Sequence, residues 1–374
     1  MNLTDRPEDI EFRAEARAWL RKHVPSGLAS GDTKQGFAEH LEWERQLHAA
    51  RWAVVSWPKA YGGRDASIRQ WLIFEEEYYL AGGPQRVTQN GIFLLAPTLF
   101  EFGTQAHKDT ILPAMAAAET LWAQAWSEPG AGSDLAAVRS RAERVDGGWR
   151  LYGQKTWCTR AAFCDACFGL FRTDPDSARH RGLTYFMAPL TGEGVEVRGF
   201  GRLDGDEGFA EVFFDGLFVP DDAVIGAVSQ GWRVAMATTS SERGLTLRSP
   251  GRFLAATKRL DLLRRQQPVD PARDLRCLDA ALKAEAYRVF TEAAVHNMER
   301  GQDLGSRSSL MKVYWSELDI ELHETALELL GDGAALEHDW SKAYQFSLAG
   351  PIYAGTNEIQ RKIIAERLLG LPRR

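Results

Sequence analysis

The spacing of apolar residues changes twice along this chain, and those two changes restrict the fold more than any other feature. From Pro7 to about Ala118 apolar residues recur at helical spacing, after Leu121 they alternate with polar ones amid frequent turn signals, and from Gly231 onward helical spacing returns. Strands gathered between two helical blocks, with no βαβ alternation, predict an α+β multi-domain chain and argue against a Rossmann-type sheet. At 374 residues, and about 150 residues per domain, two or three domains are expected. The pattern changes place them at 1–121, all helical, 122–225, β, and 226–374, a four-helix bundle.

Punctuation sets the elements within these blocks. Glu8 to Val24 reads as a helix stopped by Pro25, a second runs from about Phe37 to Trp52, and the loop Ser56 to Gly63 precedes a third at Ile68 to Leu80. Two more fit before Leu121. Ile92, Phe93, Leu94, Leu95, Leu99 and Phe100 surround the fourth helix almost completely, which marks it as central. In the β block, Asp146-Gly147 sits between two strand-like flanks as a hairpin turn. Further strands are expected at Ala166 to Arg172, Leu183 to Ala188, Val195 to Phe200 and Phe209 to Phe214, with Pro220 closing the block. The last block predicts long helices over Trp232 to Arg264, Pro271 to Arg300 and Ser306 to Leu330, then a shorter one.

Composition removes several function classes. A net charge of −6 without a long basic run lacks the electrostatic footprint of a nucleic-acid binder. No apolar stretch is long enough to span a bilayer. The start, M-N-L-T-D-R-P-E-D, has three acids and no apolar run, and the end, L-P-R-R, matches no peroxisomal or retention signal, so the cytoplasm is the expected compartment. Four cysteines are too few for a disulfide framework in a chain this size.

Two neighbouring segments carry the chemistry. Trp126 to Asp134, W-S-E-P-G-A-G-S-D, combines backbone N–H groups freed by Gly130 and Gly132 with the hydroxyls of Ser127 and Ser133. Lys155 to Thr159, K-T-W-C-T, offers the Trp157 indole as a cover for a ring, and Thr159, two residues on along a strand, points to the same face. Together they predict a cradle for a flat cofactor such as a flavin.

Other patterns fail on context. Gly130-Ala-Gly132-Ser-Asp-Leu135 lacks the third glycine and the βαβ unit of a dinucleotide fingerprint, and Gly148 to Thr156 has Gln154 inserted before the lysine of a phosphate loop. Cys164-Asp-Ala-Cys167 has redox or zinc spacing but no second ligand pair. There is no H-E-x-x-H and no G-x-S-x-G, so a zinc protease and a serine hydrolase of that type are not expected, and no metal is predicted. Among 51 acids most belong on solvated helix faces, as Glu75, Glu76 and Glu77 are expected to do. Glu242 differs, because it opens E-R-G after G-W-R-V-A-M-A-T-T-S-S with small residues beside it, a setting that suits a carboxylate facing a cavity.

Four ordered motifs, W-S-E-P-G-A-G-S-D, G-Q-K-T-W-C-T, G-W followed by E-R-G, and Y-A-G-T-N-E-I-Q, run collinearly over essentially the whole chain. In this the sequence resembles the acyl-CoA dehydrogenases. The resemblance implies an N-terminal helical domain, a middle β-barrel, a C-terminal four-helix bundle, bound FAD, usually a tetramer, and an electron-transfer flavoprotein as acceptor. It implies FAD contacts at Gln124, Trp126, Ser127, Gly132, Ser133, Trp157, Thr159, Thr356 and Glu358, and substrate contacts at Ser133, Arg243 and Ala354. The chemistry it implies is α,β-desaturation of an acyl-CoA thioester, a carboxylate removing the α proton while a β hydride leaves for the flavin.

Departures from the family pattern sharpen this. Where the most familiar members read Y-E-G-T and draw the base from that glutamate, this chain has Ala354; a minority resembling isovaleryl-CoA and long-chain dehydrogenases place the base at the position of Glu242. The backbone N–H of Ala354 remains a donor to the thioester oxygen. The R-x-x-F-G segment that reaches FAD in a neighbouring subunit is replaced by L-L-R-R-Q-Q-P-V-D-P, Leu262 to Pro271, and Glu328 stands in place of a glutamine expected near a diphosphate. These changes fit either a homotetramer with altered contacts or an α2β2 assembly with a second dehydrogenase-like chain, as in actinobacterial steroid side-chain enzymes. A noncatalytic partner subunit and a flavin monooxygenase on the same scaffold are the rival functions.

Overall fold

The computed structural model describes residues 6–243, 249–302, 304–336 and 339–372, and for residues 240–243 the backbone alone. In chain order the helices are α1 (Pro7–His23), α2 (Lys34–Ala49), α3 (Ile68–Leu80), α4 (Ala96–Phe102) and α5 (Gln105–Ala116). The strands follow: β1 (Trp122–Ala125), β2 (Arg141–Val145), β3 (Gly148–Thr159), β4 (Ala166–Arg172), β5 (Leu183–Pro189), β6 (Val195–Phe200), β7 (Phe209–Pro220) and β8 (Val224–Ile225). Helices α6 (Gly231–Arg243), α7 (Pro250–Arg265), α8 (Pro271–Glu299), α9 (Arg307–Leu330), α10 (Asp339–Ser347) and α11 (Asn357–Ile363) complete the chain.

These elements gather into two compact units that interleave in sequence. One comprises Met1–Ser26, Ala66–Pro84 and Glu242–Arg374, the other Gly27–Asp65 and Gln85–Ser241. In the first unit α1 packs on α3, α3 on α7, and α7, α8 and α9 on one another, with α10 and α11 against α9. Leu260, Leu263, Ala280, Leu322, Ala326, Leu329 and Trp340 fill the core of that bundle. The Pro250-Gly251 start of α7 lets it approach α3 closely, since a Cβ on Gly251 would stand 2.7 Å from the Glu75 carbonyl oxygen.

Glu75, Glu76 and Glu77 are corrected by this packing: they are buried at 3%, 6% and 3% exposure, not on a solvated face. For Glu76 and Glu77 the reason lies on α1. Arg17 donates two hydrogen bonds of 2.7 Å to Glu77, and Arg13 reaches both Glu77, at 3.1 Å, and Glu76, at 3.0 Å. A charge run becomes interior when a facing helix supplies guanidinium groups.

In the second unit all eight strands join one sheet, with pairings in the order β6-β7-β3-β2-β4-β5-β8 and β1 beside β4. Only the pairings of β4 with β1 and with β2 are parallel, and β1 and β2 follow one another beside it. Trp149, Leu151, Phe171, Phe186, Phe214 and Val219, from β3, β4, β5 and β7, fill its apolar core. Asp146-Gly147 forms the expected β2–β3 turn.

Besides shifts of one to three residues at element ends, as at α2, three features differ from expectation. The seventh strand continues past Phe214 to Pro220, because β3 is equally long and pairs with it throughout. The helix expected over Trp232 to Arg264 is two, α6 ending at Arg243 and α7 starting at Pro250, whose ring cannot supply the N–H that a continuous helix needs. The central fourth helix begins with a π-helical turn, Asn90–Leu95, before α4, and Ile92, Leu94, Leu95 and Leu99 are buried as their spacing requires.

Candidate functional site

On β1 and the residue after it, alternation puts Trp122, Gln124 and Trp126 on one face. The indole Nε1 of Trp122, the amide Nε2 of Gln124 and the indole Nε1 of Trp126 are each buried without a hydrogen-bond partner. A row of unpaired buried donors costs free energy unless a ligand's acceptors complete it. After Trp126 the chain folds into a tight turn in which Glu128 and Ala131 exchange backbone hydrogen bonds of 2.9 and 3.0 Å. A Cβ at Gly130 or Gly132 would meet no protein atom within 4 Å, and Ser133 is exposed beside them.

A fully buried lysine holds this segment. The ammonium of Lys155, on β3, donates to Glu128 Oε1 at 2.9 Å, to the Leu170 carbonyl at 2.8 Å and to the Trp126 carbonyl at 3.3 Å. Glu128 also accepts from the backbone N–H groups of Arg139 and Ser140 at 2.7 and 2.8 Å. Burial alone would raise the Glu128 carboxyl, but the Lys155 charge and these donors outweigh it and hold the group below the usual carboxylate range. The Thr156 N–H donates to the Ser127 carbonyl at 2.9 Å, so the two predicted segments are joined along their length.

Just beyond Lys155 the β3–β7 register shifts, and Trp157 adopts a left-handed φ of 59°. That conformation is costly for a bulky residue. The indole is 60% exposed, yet Phe200 and Phe209 hold it edge to face at centroid distances of 5.2 and 5.6 Å. Cys158 is buried and Thr159 half-buried, and the register shift at Trp157 interrupts the strict two-residue alternation from which a common side for Trp157 and Thr159 is expected. The Thr159 carbonyl accepts from Asn90 Nδ2 at 3.3 Å, and Arg160, itself at φ 57°, is pinned by Asp32 at 2.6 Å. An exposed, propped aromatic face beside a row of unpaired donors fits a flat, acceptor-rich group such as a flavin.

The first unit holds the remaining predicted residues. Ala354 has φ 56° in a turn that ends at Thr356, whose hydroxyl caps α11 by accepting the Ile359 N–H at 3.3 Å. Glu358 is exposed in the first turn of α11, and its own backbone N–H and the Thr356 hydroxyl hold its carboxyl below the usual range. Glu242 and Arg243 end α6, and their side chains lie outside the described residues. Glu328 pairs with Arg276, while Arg264 pairs with Asp261 and Asp274, so the charges at the two departures from the family pattern are met within the chain.

Several supporting residues gave no signal that sequence reasoning used. Lys155, Asn90 and the Arg160–Asp32 pair act across 15 to 128 positions, and a lone polar letter does not announce its distant partner. In the C-x-x-C pair burial pushes the Cys164 thiol up to about 12 and Cys167 well above its ordinary value, which disfavours the thiolate that redox or metal chemistry needs.

Comparison with known proteins agrees with this geometry. The chain matches models of the acyl-CoA dehydrogenase N-terminal domain over residues 6–119, the middle domain over 123–217 and the C-terminal domain over 229–369. It is 38% identical to the acyl-CoA dehydrogenase IpdE1 of Mycolicibacterium smegmatis, covering 97% of this chain and 98% of that protein. It is 36% identical to the acyl-CoA dehydrogenase FadE34 of Mycobacterium tuberculosis over 95% of this chain and 49% of that longer protein. Among solved structures, the Tcur3481-Tcur3483 steroid ACAD superposes with a TM-score of 0.90 at 25% identity over the full length of both chains. The ChsE4-ChsE5 complex from Mycobacterium tuberculosis superposes with 0.85 at 26% identity, again over both full lengths. The chain belongs to the acyl-CoA dehydrogenase family.

Proposed function

We propose that this oxidoreductase removes the α proton of an acyl-CoA thioester with Glu242 and yields the trans-2-enoyl-CoA, using FAD as its flavin. The observation that carries the reading is the pairing of Ala354 with Glu242. The turn residue that serves as base in many relatives has no titratable group here, while a carboxylate ends α6 after a run of small and hydroxyl side chains. Family membership implies a flavin, which when bound accepts the β hydride. The indole and amide N–H groups of Trp126 and Gln124 and the hydroxyls of Ser127 and Thr159 bind its polar edge, and Trp157 covers its ring. The family resemblance assigns further FAD contacts to Gly132, Ser133, Thr356 and Glu358, and thioester contacts to Ser133, Arg243 and the Ala354 backbone N–H. Donors aimed at the thioester oxygen stabilise the charge that develops as the α proton leaves.

The test is anaerobic mixing with a panel of straight, branched and steroid acyl-CoAs while following flavin bleaching. Glu242→Gln is expected to slow bleaching by about 10²–10⁴-fold, the usual worth of a general base. Bleaching at the wild-type rate would rule Glu242 out. The solved relative named as a steroid dehydrogenase favours a steroid-derived acyl group over a plain fatty acyl chain, and an electron-transfer flavoprotein is the proposed acceptor.

Assembly with a second dehydrogenase chain into an α2β2 tetramer is the second reading, and α8 supports it. Its inner face buries Cys277, Ala280, Ala284, Tyr287 and Thr291, yet Leu275, Leu278, Leu282 and Val289, at i, i+3, i+7 and i+14, are 66%, 55%, 60% and 36% exposed on another face. A helix apolar on two faces is built to be covered on both. The named relatives in two-chain complexes point to a homologous chain as the cover. A stable homotetramer with one FAD per chain, purified without any partner, would sink this reading.

A further inference from the structure

Gln360 lies in α11, is fully buried and contacts no site residue through its carboxamide oxygen, which has no hydrogen-bond partner at all. Its Nε2 does the opposite, donating at 3.3 Å to two successive backbone carbonyls, those of Ala354 and Gly355. Leaving a buried carbonyl oxygen unpaired costs about 1–3 kcal/mol, and the turn it serves is itself strained. Ala354 at φ 56° and Gly355 at φ 80° are both left-handed, and only the glycine takes that conformation without penalty.

The two costs have one geometric result. Every peptide bond in the described chain is trans and each is planar, so a carbonyl and the following N–H point in opposite directions. With the Ala354 and Gly355 carbonyls drawn to Gln360, the N–H groups of Gly355 and Thr356 are turned to the opposite side together. Neither has a hydrogen-bond partner among the described residues. The far end of the turn is fixed independently. Asn357 accepts from buried Lys312 Nζ at 2.7 Å and from Ser316 Oγ at 3.1 Å, and its own N–H donates to the Pro351 carbonyl at 2.8 Å. The turn therefore cannot drift as a body, and its peptide planes are set by Gln360.

We infer that Gln360 is a positioning residue for acyl-thioester oxidation, orienting the Ala354–Gly355 and Gly355–Thr356 peptide planes so that the Gly355 and Thr356 N–H groups are presented, in addition to the Ala354 N–H proposed above, as preformed donors to the carbonyl oxygen of the substrate. This rests on the proposed function, and specifically on the Ala354 turn meeting the thioester. Successive N–H groups in left-handed geometry form a concave donor set suited to an oxygen that gains negative charge. Gln360 touches no substrate; it acts through the backbone it holds.

The experiment uses the flavin-loaded full chain, wild type and Gln360→Met, which keeps side-chain length and loses the donor. Two quantities are read: the limiting rate of flavin bleaching with its half-saturating acyl-CoA concentration, and the infrared carbonyl stretch of a bound 13C-labelled enoyl-CoA product, which needs no turnover. The expected result is a limiting rate lower by roughly 10–100-fold, short of the loss on deleting an oxyanion donor outright, with half-saturation changed by less than about 3-fold. The carbonyl stretch, lowered on binding to wild type, is expected to return toward its free value in the variant. If Gln360→Met loses its flavin or fails to fold, Gln360→Glu replaces it: rising activity relative to wild type as pH falls and the carboxylic acid regains an O–H donor supports the inference, and a ratio that stays flat overturns it. Wild-type rates and wild-type carbonyl shift in a folded Gln360→Met overturn the inference and leave the function standing. A wild type that neither bleaches nor shifts the carbonyl of any thioester in the panel overturns both.

Discussion

Trp157 joins two properties that stability alone would not select, a left-handed backbone and a large exposed ring. Left-handed geometry costs a non-glycine residue about 1–2 kcal/mol, and the edge-to-face contacts with Phe200 and Phe209, at about 0.5–1.5 kcal/mol each, offset a similar amount. Replacing it with glycine removes the strain and the partial packing together. Trp157→Gly is therefore expected to change the unfolding free energy of the flavin-free protein by less than about 1 kcal/mol, measured by urea titration. Flavin retention through gel filtration is expected to fall at the same time. A large loss of stability with flavin retained would show that the indole is a packing residue.

The acidic run on α3 shows what an element conceals until its neighbours are known. Glu77 is held by Arg17 and Arg13, which overcome the upward push of burial and keep its carboxyl below the usual range, whereas burial prevails at Glu76 and raises it. Glu76 Oε1 is also unpaired. Glu77→Gln is accordingly expected to cost about 1.5–3 kcal/mol, the worth of hydrogen bonds to a charged group, and Glu76→Gln distinctly less, compared by chemical denaturation at neutral pH. Equal losses would contradict the assignment. The helices and strands themselves were largely legible, α3 and β4 to the residue, because periodicity and Pro or Gly punctuation are local. The burial of Glu76 and Glu77 was not, since it depends on arginines of α1 some sixty positions away.

Across the second unit, Asp32 gathers Arg160 at 2.6 Å from the end of β3 and Arg202 at 2.5 Å from the loop after β6. Burial would raise its carboxyl, but the two guanidinium charges hold it below the ordinary value. A depressed carboxyl adds stability that is complete above its unfolded value, about 3.9, and lost as pH falls through the folded value. Asp32→Asn is thus expected to cost about 3–5 kcal/mol near neutrality, with the gap to wild type narrowing below pH of about 4. A gap independent of pH would mean that the loss is steric. The site was legible to the same uneven degree. Glycines, hydroxyls and tryptophans cluster within the two segments proposed to meet a cofactor, so Trp126 to Asp134 and Lys155 to Thr159 stood out in the sequence. The partners of Lys155 and Asn90 are distant carbonyls or a carboxylate, and Gln360 reaches two carbonyls only five and six positions back, through a left-handed turn that apolar spacing does not reveal. The strand that carries Lys155 and Trp157 is also interior to the sheet, paired to β7 along its length and to β2 over Gly148 to Tyr152. A ligand that seats on that strand draws its affinity from the same structure that keeps the unit folded. Cofactor supply would then govern how much of this chain persists in a cell, before any substrate arrives.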